Sequence, residues 1–277
     1  MQEHDAARVL VTQARGKTGA PLTSLLVDRG DVEMLGGTSD PARLDLRGVT
    51  PVLFAWDRPE TWAPALEDVD AVYLVRPDWE DAPEIIAGFL AQTEPSARIV
   101  FLSEQDADYT APDGWSPRNE RAVREGSQSW TILRPSWFMQ SLTDDRMFGG
   151  PVLSDGELPF PAGDARVAWI DARDIAAVAA VALLDEGHDG QTYEITGPEA
   201  LSLPETAKAL SEALDRPVVH RDLTIQQALG DSVGFARELD RLTFERVAAD
   251  RFAPVTDTVR QLAGRPPRRL RDLRSGS

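Results

Sequence analysis

The feature that most constrains the fold of this chain is the alternation of short apolar runs with segments of helical periodicity. The apolar runs are rich in Val, Ile and Leu, which predicts buried strands. Strands separated by helices predict parallel βαβ units. The strands are expected at 8–12, 32–35, 50–55, 71–75, 98–102 and 129–134, and the helices at 18–30, 58–69, 82–93 and 116–126. The fold class is therefore α/β, with a doubly wound parallel sheet.

The second half of the chain has a different pattern. A stretch rich in Gly, Pro and aromatic residues follows Pro135, and the next elements expected are helices at 170–187 and 202–215 and a strand at 192–197. The sequence therefore predicts two domains. One is a sheet domain made of residues 1–150 and about 165–197, and the other is a smaller, mainly helical C-terminal lobe, made of about 151–164 and 198–277, that binds substrate.

Composition and charge exclude several classes of chemistry. The chain has no cysteine and only three histidines, far apart in sequence, so a disulfide framework, a thiolate nucleophile and a metal site are not expected. The net charge of -17 opposes binding to nucleic acid or anionic membranes. No signal peptide and no membrane-length apolar run is present, which favours a cytoplasmic protein. The basic stretch 264–277 is expected to be a solvated tail.

The stretch "RVLVTQARGKTG", residues 8–19, predicts a strand, a loop and a helix start. In dinucleotide-binding folds this loop carries spaced glycines that let the backbone approach the pyrophosphate. Here the corresponding positions are Gln13, Gly16 and Gly19. The amides of Gly16, Lys17, Thr18 and Gly19 would lie at a helix N-terminus, where anions bind. The same residues also suit a tight strand–helix turn without any ligand.

Eight segments together resemble the NmrA-like group of atypical short-chain dehydrogenases/reductases, and within it the branch of ergot-alkaloid-type and quinone-type reductases. They are "VLVTQARGKTG", "FAWDRPETW", "ALEDVDAVYLVRP", "RIVFLS", "WTILRPSWFMQSL", "LPFPAGDARVAWIDARDIAAVAA", "YEITGPEALSLPETA" and "TDTVRQLAGRPPRRL". The resemblance implies a Rossmann-type sheet with an NADP(H) or NAD(H) site. It implies less about function, because the family contains reductases, redox-neutral enzymes and redox-sensing regulators.

The chain departs from the family pattern in three segments of the cofactor site, after the first, second and third strands. Gln13 stands where the first glycine is usual, Gly36 and Gly37 stand where an arginine for the 2′-phosphate is usual, and Ala55 replaces an acid. A positive φ at Gln13 would cost about 1–2 kcal/mol. Dinucleotide binding is therefore expected to be weak or absent, with no metal. The residues expected around this site are Gln13, Gly16, Lys17, Thr18, Gly19, Gly37 and Ala55.

Polar and aromatic side chains follow the fourth, fifth and sixth strands, at the edge where open parallel sheets bind ligands. They suggest a pocket for a flat, apolar small molecule. The expected lining is Trp79, Ser103, Trp115, Trp137, Phe138, Met139 and Gln140, with Arg76, Glu104 and Tyr109 as anion stabiliser, base and proton donor. The same residues could instead pack the core or lie in solvated loops, without any ligand. Asp171 and Asp174 are expected to cap the start of a helix.

The Tyr–Lys pair of typical short-chain dehydrogenases is missing. None of the three tyrosines is followed by a lysine four residues later, and the chain has only Lys17 and Lys208. Three functions stay open. The favoured one is a redox-neutral cyclase or isomerase of natural-product biosynthesis. The alternatives are an NAD(P)H-dependent reductase of a conjugated carbonyl, quinone or iminium, and a non-catalytic sensor. The sequence does not decide whether the chain forms a homo-oligomer.

Overall fold

The computed structural model describes residues 6–109, 111–127 and 129–273. The chain divides into two compact units. The first comprises residues 1–134 and 175–193, and the second comprises 135–174 and 194–277. The second unit thus includes residues 135–150, 165–174 and 194–197, which the sequence predicts in the sheet domain. That the second unit binds substrate stays a prediction.

A seven-stranded sheet dominates the fold, in the order β3-β2-β1-β4-β5-β6-β9. The paired strands from β1 to β6 all run parallel, so the predicted doubly wound Rossmann-type sheet is confirmed. The strands are β1 Ala7–Val11, β2 Val32–Thr38, β3 Val49–Leu53, β4 Ala71–Val75, β5 Arg98–Leu102, β6 Ser129–Pro135, β7 Glu157–Phe160, β8 Arg166–Val167, β9 Gln191–Ile195, β10 Leu201–Ser202 and β11 Val219–Asp222.

Helices occupy most of the connections between the sheet strands. The α-helices are α1 Gly19–Arg29, α2 Trp62–Ala65, α3 Ala82–Leu90, α4 Trp115–Gly126, α5 Gly149–Ser154, α6 Ala172–Leu184, α7 Leu203–Leu214, α8 Ile225–Leu229, α9 Gly234–Ala248 and α10 Thr258–Ala263. Gly30 ends α1 in the left-handed conformation, at φ 78°, as its position in the sequence predicts. Within the described residues, none of these helices has the length and apolar character that crossing a bilayer requires.

The core of the first unit contains a cluster of aromatic rings beside the sheet. Phe54, Trp56, Trp62 and Phe89 meet edge to face, with ring centroids 4.9–6.1 Å apart. Trp62 donates its indole N–H to the carbonyl oxygen of Ala55 at 2.9 Å, and Trp56 donates to Val75 at 3.2 Å. The rings therefore bury a large apolar area while their polar atoms stay hydrogen-bonded.

The helix expected at 58–69 is much shorter in the structure. A 3-10 turn covers Pro59–Thr61 and α2 covers only Trp62–Ala65. Pro64 has no N–H and its ring conflicts with the carbonyl four residues earlier, so it suits only the first turn of an α-helix. Asp68 then takes a positive φ of 56°, which ends the helical conformation.

The expectation of a solvated tail at 264–277 is wrong for its described part. Leu270 and Leu273 are buried, and both Arg265 and Arg268 pair with the carboxylate of Asp174, which is itself fully buried. The backbone N–H of Arg268 donates to the same carboxylate at 2.7 Å. Apolar anchors and a buried counter-charge therefore hold this segment in the second unit. Residues 274–277 lie outside the described part of the chain.

Candidate active site

The loop between β1 and α1 is tightly folded around two of its glycines. The N–H of Gly16 donates to the carbonyl oxygen of Gln13 at 2.9 Å. A Cβ added at Gly19 would lie 2.0 Å from that same oxygen, and one at Gly16 would lie 3.1 Å from it. The backbone of this loop therefore depends on both glycines, as a close approach to a ligand requires.

The N-terminus of α1 offers unsatisfied donors at this loop. Within the described residues, the N–H groups of Arg15, Thr18 and Gly19 have no backbone acceptor. The first turn of α1 carries no acidic residue that would neutralise the positive end of the helix. Free amides at a helix N-terminus are a binding site for phosphate groups. The loop therefore fits the pyrophosphate of a dinucleotide.

The strain expected at Gln13 is not found. Among the described residues the non-glycine positions with positive φ are Asp68, Asp106, Asp215 and Asp250, so Gln13 is accommodated without a left-handed backbone. Its side chain is exposed beside the loop. The cost of about 1–2 kcal/mol that a positive φ would impose therefore does not apply. The backbone strain is therefore removed from the reasons for expecting weak cofactor binding, while the added side chain at position 13 remains.

Gly37 and Ala55, the other two departures from the family pattern, are both buried. A Cβ at Gly37 would lie 3.0 Å from the carbonyl oxygen of Val11 and 3.1 Å from Cα of Thr12. An arginine at position 37 would therefore crowd the backbone of β1. The N–H of Ala55 donates to the hydroxyl oxygen of Thr61 at 3.1 Å, and its carbonyl oxygen accepts from the indole N–H of Trp62 at 2.9 Å. Both positions serve the packing of neighbouring backbone.

The second strand extends three residues beyond the sequence prediction. Gly36 and Gly37 pair with Pro51 and Val52 of β3, so β2 ends at Thr38 rather than at residue 35. Arg43, which follows β2 in the chain, is 79% exposed and pairs with Asp40 at 3.3 Å. A second arginine, Arg58, donates to the carbonyl oxygen of Ser39 at 3.2 Å, and the sequence analysis did not identify it.

Four predicted residues meet at the carboxyl ends of β4 and β5. The guanidinium of Arg76 lies 4.5 Å from the ring centroid of Trp115 and 3.5 Å from the carboxylate of Glu104. The indole N–H of Trp115 donates to the carbonyl oxygen of Trp79 at 2.7 Å. These contacts hold the Arg76 cation at the edge of the sheet where ligands bind.

Ser116 joins this group, although the sequence analysis did not select it. Its hydroxyl donates to the second oxygen of the Glu104 carboxylate at 2.5 Å. The position follows Trp115 in the first turn of α4, and only this adjacency could have suggested it. Glu104 therefore accepts from a cation on one side and from a hydroxyl on the other.

Ser103 has a packing role in the structure. Its side chain is buried and donates to Glu120 at 2.7 Å. Glu120 also binds Arg134 through two bonds of 2.8 Å and Arg124 through one of 2.8 Å. Burial alone would raise the pKa of Glu120, but the bonds from Arg134 and Ser103 and the charges of Arg134 and Arg124 outweigh it and hold the pKa below its usual value.

Trp79 and Tyr109 present aromatic surface to solvent, and each residue is 42% exposed. Tyr109 follows a strained residue, Asp106, at φ 58°, and its N–H donates to the carbonyl oxygen of Asp106 at 3.0 Å. Exposed aromatic rings after β4 and β5 provide a surface on which a flat ligand can stack. Their contact with substrate stays a prediction.

The predicted residues of the second unit mainly pack its core. Trp137 lies within 5.2–6.4 Å of the rings of Phe148, Phe160, Trp169, Phe244 and Phe252, measured between centroids. Met139 is buried, and Phe138 pairs with Ile170 in an isolated bridge. The side-chain oxygen of Gln140 accepts from the N–H of Ala172 at 3.0 Å. The residues therefore have clear structural partners.

Asp171 and Asp174 have structural partners as well. Asp171 accepts from the N–H of Arg173 at 2.8 Å and also binds its guanidinium, as a residue at a helix start is expected to do. Asp174 binds the C-terminal arginines described above. Among the described residues, no group of histidine, aspartate and glutamate side chains could hold a metal ion.

Comparisons with known proteins agree with this geometry. A family model described as NAD(P)H-binding matches residues 14–186. An NAD(P)H azoreductase of Xenophilus azovorans is 34% identical, with 94% of each chain covered. A (4-alkanoyl-5-oxo-2,5-dihydrofuran-3-yl)methyl phosphate reductase of Streptomyces griseus is 33% identical, with 95% of each covered. An NADPH-dependent quinone oxidoreductase of Escherichia coli, solved with NADPH, shares the fold at a TM-score of 0.78 and 21% identity, over 95% of this chain and 97% of that one.

Proposed function

Because the chain belongs to the NAD(P)H-binding family, and to its NmrA-like branch of atypical short-chain dehydrogenases/reductases, we propose that it is an NAD(P)H-dependent reductase of an electron-poor small molecule. The observation that carries the proposal is the loop of Gly16 and Gly19, with its unsatisfied amides at the start of α1. A reductase therefore replaces the redox-neutral cyclase or isomerase as the favoured function. The redox-neutral function is favoured by the sequence because the cofactor site is expected to be weakened, in part by strain at Gln13.

The chain's own residues would hold the cofactor by its phosphates. Within the described residues, the N–H groups of Arg15, Thr18 and Gly19 have no backbone acceptor and are available to the phosphates, and the adjoining helix end adds a favourable dipole. When bound, NAD(P)H supplies a hydride to the acceptor. The protein must then orient the acceptor, stabilise the charge that develops on it and deliver a proton.

Arg76 is the group we propose for charge stabilisation. Trp115 below its guanidinium and Glu104 beside it fix its position, so little reorganisation is needed when negative charge develops nearby. Tyr109 is proposed to supply the proton, because it is an exposed phenol on the loop that follows β5. Glu104, which accepts a hydrogen bond from Ser116, positions Arg76 and partly compensates the positive charge of its guanidinium.

The missing Tyr–Lys pair restricts the substrate class. Without a lysine to lower the pKa of a phenol, the site has no strong acid ready to activate a simple ketone. An acceptor that stabilises negative charge itself does not need that acid. The named relatives include an azoreductase and the reductase of an oxo-dihydrofuran phosphate. We therefore propose quinones, conjugated carbonyls or azo compounds as the substrate class.

The test is oxidation of NADPH or NADH by purified protein, followed by the loss of nicotinamide absorbance, with menadione, an enone and an azo dye as acceptors. Removing one charge-assisted contact in Arg76→Ala should lower kcat/KM about 10- to 100-fold. Arg118→Ala removes an exposed arginine paired with Glu84 and should have little effect. Nucleotide-free conversion of a substrate by desalted protein would instead support the redox-neutral alternative. Nucleotide binding without turnover of any acceptor would support a sensor.

A further inference from the structure

Arg58 brings a guanidinium to the carboxyl end of β2. The residue follows β3, and its Nη2 donates to the carbonyl oxygen of Ser39, the first residue after β2, at 3.2 Å. Within the described part of the chain, this carbonyl is its one hydrogen-bond acceptor, and no carboxylate forms an ion pair with it. An arginine has five N–H donors, so most of those of Arg58 remain available to a ligand.

The backbone of Arg58 is held in place independently of any ligand. Its N–H donates to the carbonyl oxygen of Ala55 at 3.2 Å, and its own carbonyl oxygen accepts from the N–H and the hydroxyl of Thr61, at 2.9 and 2.7 Å. The side chain is half-buried. A cation fixed in this way loses little conformational freedom when it binds an anion.

The charges at this strand end favour an anion. Asp40 is the type of residue that accepts a hydrogen bond from the ribose 2′-hydroxyl of NAD. Here, however, its carboxylate lies 3.3 Å from the guanidinium of Arg43 and is compensated by it. The positive charge of Arg58 has no such compensation. Asp40 is thus paired with Arg43, whereas no carboxylate of the described residues forms an ion pair with Arg58.

We propose that Arg58 binds the 2′-phosphate of NADPH and selects NADPH over NADH. This inference rests on the proposed function as an NAD(P)H-dependent reductase. In doubly wound sheets the adenosine ribose lies at the carboxyl end of the second strand, the place that Arg58 reaches from β3. A guanidinium presents parallel donors that match a phosphate, and the bond is strengthened by charge on both partners. The arginine missing at position 37 is then replaced from a neighbouring strand.

Isothermal titration of the full chain with NADPH and NADH tests the proposal. The wild type should bind NADPH at least about tenfold more tightly than NADH, and Arg58→Ala should weaken NADPH about 10- to 100-fold while NADH changes less than about twofold. Arg58→Lys keeps the charge and should lose less. Arg47→Ala is the matched control, because Arg47 lies in the connection from β2 to β3 and pairs with Asp28 on the surface. It should leave the preference unchanged.

Adenosine 2′,5′-bisphosphate and adenosine 5′-monophosphate form a second arm that does not involve the nicotinamide. The wild type should prefer the bisphosphate, and Arg58→Ala should lose that preference. Equal binding of NADPH and NADH by the wild type, or an undiminished preference in Arg58→Ala, overturns the assignment of Arg58. In that case NADH-dependent turnover would leave the proposed reductase function standing. Failure of both dinucleotides to bind overturns both proposals.

Discussion

Replacing Glu120 with glutamine should destabilise the protein strongly. The carboxylate is 1% exposed and receives four hydrogen bonds, two from Arg134 and one each from Arg124 and Ser103. The substitution keeps the shape of the side chain and one acceptor oxygen but removes the negative charge. Arg134, which is 13% exposed, would lose its charged partner at 2.8 Å, while the carboxylate of Asp108 lies farther away, at 3.5 Å.

The size of the effect follows from the burial of both partners. Removing one member of a buried ion pair costs about 3–5 kcal/mol, because the other charge remains desolvated. Arg134 retains some contact with solvent and with Asp108, so we expect the lower end, about 3 kcal/mol. The free energy of unfolding of a typical protein is about 5–15 kcal/mol, so this loss is a large share of it.

The pH dependence provides a second measure of the same interaction. The pKa of Glu120 is depressed in the folded protein, so its stabilising effect is complete above the unfolded value, about 4.3, and is lost as the pH falls through the lower folded value. The difference between wild type and Glu120→Gln should therefore be constant near neutral pH. It should shrink once the pH falls below about 4.

Urea unfolding followed by far-ultraviolet circular dichroism measures both quantities, with an unchanged m value as the check on comparability. Glu84→Gln is the control, because Glu84 is 61% exposed in its pair with Arg118 and should change the free energy of unfolding by less than about 1 kcal/mol. Equal losses in the two variants, or a Glu120→Gln loss that does not shrink in acid, would refute the reasoning.

Two further predictions concern the loop after β1 and the C-terminal segment. Gly19→Ala would bring a methyl group to 2.0 Å from the carbonyl oxygen of Gln13, so it should lower Tm and weaken NADPH binding more than about tenfold by calorimetry. Gly88→Ala is the control, because its added methyl group contacts only the Trp62 side chain, at 3.6 Å, and it should stabilise α3 by about 0.5–1 kcal/mol. Unchanged NADPH affinity in Gly19→Ala would contradict the role given to the loop. Asp174→Asn leaves Arg265 and Arg268 without their buried counter-charge, so trypsin should cut the C-terminal segment roughly tenfold faster. Asp257→Asn, in an exposed pair with Arg260, should leave the cleavage rate unchanged, and similar rates in both variants would count against the anchoring role of Asp174.

Local pattern was sufficient for the central elements of the sheet. The bounds predicted for β4 and β5, 71–75 and 98–102, are those of the structure, because four or five successive apolar residues form the body of each strand. The helix α1 ends at Gly30 and α7 begins with a capping box of Ser202 and Glu205, both as the sequence indicates. In each case the signal lies within a few adjacent residues.

The end of β2 shows where local pattern fails. Gly36 and Gly37 interrupt the apolar run, and glycine is depleted in strands, so residues after 35 are expected to leave the sheet. They stay in it because they pack against other parts of the chain. A Cβ at Gly36 would lie 2.5 Å from the Leu44 side chain and 2.7 Å from that of Val49. Such contacts depend on the tertiary structure and produce no periodic pattern in the sequence.

The candidate site was predictable in its position and less so in its partners. Parallel topology places the ends of β4 and β5 side by side, and Arg76 and Glu104 do meet there. The pairing of Arg58 with Ser39 joins segments 19 residues apart, and Ser116 reaches Glu104 from another element. Spacing along the chain does not encode such pairs. The assignment of Ser103 to the pocket missed its bond to Glu120 for the same reason.

The ring cluster around Trp137 has a consequence for optical spectroscopy. Of the seven tryptophans, Trp137 and Trp169 belong to the second unit, and the other five belong to the first. Emission from the two units can therefore be separated without any label. In a variant that carries Trp137→Phe and Trp169→Phe, all tryptophan emission comes from the first unit. Subtracting that emission from the wild-type emission gives the emission of the second unit. Coincident urea curves for the two emissions would mean that one cooperative transition melts both units.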